Sequence, residues 1–72
     1  MGRIAVIGER HRIQALTIGG AQPHPAGTPD EVLRAWAAIT PEVAVLILTR
    51  EAAGILEGRT DGRRDLLITV MP

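Results

Sequence analysis

Six consecutive apolar residues, Val43-Ala44-Val45-Leu46-Ile47-Leu48, constrain this chain more than any other feature. A strand with one face in water alternates apolar and polar residues. A run without alternation belongs to a strand covered on both faces, which is the mark of a parallel sheet between helices. The run falls far short of the roughly 20 residues that a membrane-spanning helix needs. It is therefore the expected central strand, and the rest of the chain must supply strands for its edges and helices for its faces.

The remaining segments supply both. Ile4-Ala5-Val6-Ile7, stopped by Gly8, reads as a second buried strand. Residues 9–18 place Ile13, Leu16 and Ile18 in a short helix closed by Gly19-Gly20, where a left-handed residue is wanted. Thr17 and Ile18 are mediocre helix formers. Pro23 and Pro25 then alternate with Gln22 and His24. Prolines two apart direct their missing N–H groups to the same side, so this segment pairs on one side only, as an edge strand or extended loop.

Thr28-Pro29-Asp30-Glu31 combines an N-cap threonine, a proline at the first helical position and a glutamate three residues after the cap. Val32, Leu33, Trp36 and Ile39 continue at helical spacing until Pro41 stops the helix. Thr49 caps a third helix over residues 50–56, weakened by Gly54 and Gly58, each costing about 1 kcal/mol relative to alanine in a helix interior. Residues 59–65 read as a polar, solvated turn, and Leu66-Leu67-Ile68-Thr69-Val70-Met71 as a last strand ended by Pro72.

The order β-α-β-α-β-α-β implies a parallel sheet with right-handed crossovers. The proline segment belongs at an edge, which gives the strand order 2-1-3-4. The expected fold is a single three-layer α/β domain over residues 1–72, with flavodoxin- or receiver-like topology lacking the last helix. The first helix covers one face and the other two the opposite face. With no fourth helix before Pro72, the sheet around strands three and four is expected to show an uncovered apolar area, the kind of patch that marks a contact site.

Composition narrows the functions. A chain of 72 residues buries only about 60% of its unfolded surface, so it gains from a partner. It contains no cysteine, which removes disulfides, thiolate metal sites and a cysteine nucleophile. That absence also suits a reducing compartment, and the expected location is cytoplasmic. Eight basic residues, all arginine, balance eight acids, and Trp36 is the sole aromatic. Neither a basic excess nor a stacking platform for nucleic acid is available.

In an open α/β sheet the default site lies where the strand order reverses, at the carboxyl ends of strands one and three. Gly8, Glu9, Arg10 and His11 would line one side of that crevice, and Thr49, Arg50 and Glu51 the other. Two helix N-termini and two arginines suit an anion. The plainer reading has Glu9 and Glu51 complementing helix dipoles and pairing with the arginines on a solvated surface. A phospho-acceptor receiver shares the topology but needs an acidic pair after strand one, an aspartate ending strand three and a later lysine. Glu9-Arg10 and Leu48-Thr49 occupy the acidic positions, and the chain has no lysine. Gly8 stands alone after strand one, without a dinucleotide or P-loop glycine pattern. His11 and His24 lack a clustered third ligand. Trp36 is expected in the core or at its rim, or as an interface anchor if its helix face is left open. The expectation is a domain without cofactor, metal or catalytic residues.

Taken in order, several of these segments resemble the F subunit of V/A-type rotary ATPases. Ile4-Ala5-Val6-Ile7-Gly8-Glu9 is similar to the family's opening strand running into Gly-Asp or Gly-Glu. Ile18-Gly19-Gly20 is similar to its first helix end, and Thr28-Pro29-Asp30-Glu31-Val32-Leu33 to its capped second helix. Val43-Ala44-Val45-Leu46-Ile47-Leu48-Thr49-Arg50-Glu51 resembles its third strand, and Leu67-Ile68-Thr69-Val70-Met71-Pro72 its fourth. The resemblance implies a non-catalytic coupling or regulatory subunit of a proton-transporting ATPase. It would dock on the central stalk beside other subunits and reach the membrane only through that complex. Trp36, Leu67, Val70 and Met71 are the expected interface residues, with self-association a further expectation. The chain departs from the family in its prolines at strand two, its glycine-weakened third helix and the absence, up to Pro72, of the helical segment that follows strand four. The alternative is a stand-alone domain binding a small ligand or anion in the crevice of Gly8, Glu9, Arg10, Thr49 and Arg50.

Overall fold

The computed structural model describes residues 2–72. Along the chain run β1 (Arg3–Gly8), α1 (Arg10–Ile18), β2 (Gln22–Pro25), α2 (Pro29–Ala37), β3 (Val43–Leu48), α3 (Arg50–Ile55), a 3-10 turn (Thr60–Gly62) and β4 (Leu67–Val70). The four strands form one parallel sheet in the order β2-β1-β3-β4. The expected fold class and strand order are those observed.

Local chemistry accounts for the boundaries. α1 ends in a Schellman motif: Gly20 takes φ 103, its N–H donates to the Thr17 carbonyl, and the Ala21 N–H donates to the Leu16 carbonyl. Both capping-box bonds of α2 are made. The Thr28 hydroxyl accepts from the Glu31 N–H at 3.2 Å, and the Glu31 carboxylate accepts from the N–H groups of Thr28 and Gly27 at 3.1 and 2.8 Å. β2 is a proline-bearing edge strand, as its spacing requires. The Ala26 N–H reaches the Gly8 carbonyl at 2.8 Å, and by alternation Pro23 and Pro25 turn their donor-less side outward.

The two faces of the sheet carry different amounts of core. On the face covered by α2 and α3, Ala5 and Ile7 of β1 and Leu46 and Leu48 of β3 join Val32, Ile39, Ala52, Leu56 and Leu66 in one buried cluster. On the other face α1 packs against β1 and β2, where Val6 and Ile13 are buried outside that cluster. A bulge between Arg3 and Ile4 leaves Ala44 as the extra residue on β3. It turns Val43 onto the two-helix face, where strict alternation from Leu46 and Leu48 would have put Ala44.

The polar turn before β4 is more structured than a solvated loop. The Arg63 guanidinium donates to the Ile39 carbonyl at 3.2 Å, forks onto both carboxylate oxygens of Asp65 at 3.2 and 3.3 Å, and lies 5.7 Å from the centre of the Trp36 ring. One side chain thereby fastens the turn to the end of α2. Composition hid this because each group is ordinary by itself, and only the folded chain brings them together.

Candidate functional site

Two places are candidates, the crevice at the carboxyl ends of β1 and β3 and the open part of the sheet beside β4. In the crevice, Gly8 and Thr49 meet. A Cβ at Gly8 would collide with Thr49 Cγ2 and press on Ile13, so this glycine is required by close packing. The buried Thr49 donates its N–H to the Ile7 carbonyl at 3.2 Å and accepts from the Ala52 N–H at 3.2 Å through its hydroxyl, capping α3. Both residues are occupied in joining strands to helices.

What remains of the crevice is a cavity of about 60 Å³ whose rim carries the carboxylates of Glu9 and Glu51, with Ala26, Gly27, Val32 and Ile55 among its lining. Neither arginine lines it. Arg10 lies on the flank of α1 facing β2, in a shallow groove with Gln14, Thr17, Pro23 and Pro25, and Arg50 is exposed at the start of α3. His11 approaches Glu9 at 3.1 Å on the exposed surface. The structure thus brings together Gly8, Glu9, Thr49 and Glu51 of the sequence-derived set and leaves Arg10 and Arg50 outside the cavity.

Besides Asp65, whose carboxyl the bonds from Arg63 hold below the usual carboxylate range, two titratable groups are displaced from their usual ranges. Burial lowers the His24 pKa, disfavouring its charged form in the proline edge strand. The Gly27 N–H bond, then those from Thr28, hold Glu31 below the usual carboxylate range. Both shifts follow from structural roles. Among the described residues no group of three or more His, Asp or Glu is placed to hold a metal ion, and no helix is long and apolar enough to cross a membrane.

The second place is larger in apolar surface. Ile4, Val45 and Leu67 stand in register across β1, β3 and β4 and share the face that α1 covers only over β1 and β2. Leu67 is 66% exposed and Ile4 47%, while Val45 is half-buried. The next row continues with the half-buried Ile47 and the exposed Thr69, and the half-buried Met71 extends the ladder by donating its N–H to the Leu48 carbonyl at 2.8 Å. This row spans three strands, roughly 10 Å at the usual strand spacing. Val70, 49% exposed, points to the opposite face. Trp36 packs against the core cluster under Arg63, on the two-helix side.

Of the sequence-derived interface residues, Leu67 and Met71 therefore lie on the open face, and Trp36 and Val70 on the other. Ile4 went unrecognised because it opens a strand whose other apolar residues are buried. The signal was its parity with Val6, which becomes informative only once one helix is known to be too short to cover both. No family model, no curated protein and no solved structure matches this chain.

Proposed function

We propose that this chain is a non-catalytic docking domain that works through its open sheet face, in the manner of the F subunit of a V/A-type rotary ATPase. The observation that carries the reading is the in-register row Ile4–Val45–Leu67, an apolar strip at the surface of a sheet whose other face is buried under helices along β1 and β3. Large apolar side chains held rigidly on a strand form a contact surface at little entropic cost. The succession of motifs along the sequence directs the reading to that family, and the domain would then sit on the central stalk at the cytoplasmic side of a proton-transporting ATPase, coupling or regulating rotation without chemistry of its own.

Co-expression with the head and stalk subunits of a V/A-type ATPase from the same genome tests it. The chain is expected to co-purify with the central stalk, and Leu67→Asp to abolish capture while leaving the circular dichroism spectrum unchanged. Failure of the unaltered chain to co-purify with any stalk subunit would sink the assignment to this complex. Capture that survives Leu67→Asp would instead remove the open face as the contact.

A further inference from the structure

The two edges of the sheet are not equivalent. At β2 the outward backbone positions include Pro23 and Pro25, which have no N–H to offer a further strand. At β4 the residues are Leu67, Ile68, Thr69 and Val70, with neither proline nor charge. The Met71 N–H points inward to Leu48, so strict alternation turns the amide and carbonyl groups of Ile68 and Val70 outward, away from β3. Such an edge is a template for another strand, and natural sheets usually block it with charge, proline or a bulge.

We infer that β4 pairs antiparallel with β4 of a second copy of this chain, about a two-fold axis through Thr69 normal to the sheet. The register follows from the geometry. A two-fold axis normal to the sheet keeps each side chain on its own face, so partners must sit an even number of positions apart. With Thr69 opposite Thr69 of the copy, Ile68 faces Val70, and these are the residues whose backbone groups point outward. They form the pair that exchanges both N–H···O bonds. Of the two neighbouring registers, the one centred on Ile68 requires the Leu66 amide, which is already engaged with the Arg63 carbonyl, and the one centred on Val70 sets Ile68 against Pro72, which has no N–H.

The side chains agree with the backbone. Leu67 falls opposite Met71 on the open face, Ile68 opposite Val70 on the helix-covered face, and threonine opposite threonine between them. Each pair is of a type that favours cross-strand contact. An incoming strand must therefore be apolar on both faces, and β4 itself meets that requirement. One short strand against its copy is smaller than the ~1,200 Å² at which standard interfaces begin, so the dimer is weak. The inference rests on the edge backbone and is independent of the docking role of the open face, which the pairing leaves exposed.

Sedimentation velocity on the full chain from about 10 µM to 1 mM is expected to show a monomer–dimer equilibrium. Thr69→Lys and Thr69→Glu each set like charges directly opposite across the axis, so each variant alone should associate at least ~10-fold more weakly. A one-to-one mixture of the two should recover the dimer to at least wild-type strength. Val70→Pro removes an outward donor and spares the Met71 bond, so it should be a folded monomer, with circular dichroism confirming the fold. A wild-type chain that stays monomeric at 1 mM overturns the proposal. So does a Thr69→Lys variant that associates as well as wild type, a mixture that fails to recover, or a folded Val70→Pro variant that still dimerises.

Discussion

On one face of the sheet, Ala5, Ile7, Leu46 and Leu48 are sealed beneath α2 and α3. On the other, Val6 is buried on the side that α1 covers, and Ile4 and Leu67 stand open. Both faces are drawn from the same strands and the same residue types. Helix coverage, which crossover handedness assigns to one face or the other, makes the difference. One face holds the domain together, and the other is left free to make contacts. In a domain this small, burial on a single face must supply most of the stability.

The sharpest way to break this comparison is to shorten one leucine on each face. Leu46→Ala should cost about 2–5 kcal/mol, enough to unfold a marginal domain, whereas Leu67→Ala should change stability by less than about 0.5 kcal/mol. Urea denaturation of both variants decides the matter, and equal losses would mean that the open face is covered after all. At the seam between the faces, Gly8→Ala should cost about 1–3 kcal/mol, because Thr49 and Ile13 must both move. A thermal melt unchanged from wild type would show that the seam is looser than its geometry.

On the sealed face, Arg63→Ala should remove roughly 1–2 kcal/mol by releasing the Ile39 carbonyl and uncovering Trp36. Tryptophan fluorescence should shift to the red in the folded state of that variant, and Arg63→Lys should recover only part of the loss, since lysine lacks the fork. An emission maximum identical to wild type would separate Trp36 from this contact. The smallest effect concerns the cap of α2. Glu31 has a folded pKa below its unfolded value, so its contribution is fully present above about pH 4.5 and is lost as the pH falls through the lower folded value. Glu31→Gln should therefore melt lower than wild type at pH 7 and converge with it near pH 2. A constant gap across that range would assign the loss to something other than ionisation.

Legibility in the sequence followed the range of the interactions. The capping box at Thr28–Glu31, the glycine end of α1 and the one-sided pairing of the proline segment are settled within a few residues, and all were readable there. The unbroken run Val43–Leu48 and the order of elements implied a parallel sheet and its strand order. The crevice was less readable. Its residues could be named from topology, but the direction of Arg10, toward β2 and away from Thr49, depends on the rotation of α1 about its axis. Arg63 was out of reach, because its partners lie on α2 and on the strand side of the turn.

The sequence by itself determined the element types, the parallel sheet, the edge position of β2, the glycine end of α1 and the threonine caps of α2 and α3, since each rests on periodicity or on bonds between near neighbours. By contrast, α2 stops at Ala37, short of Ile39 and of the Pro41 that was expected to end it. The tertiary structure alone decided which apolar residues are sealed and which are open. Ile4 and Ile7 are chemically alike, and so are Leu46 and Leu67. Their burial differs because a bulge fixes the register of β3, and because α1 covers one pair of strands while α2 and α3 close the opposite face.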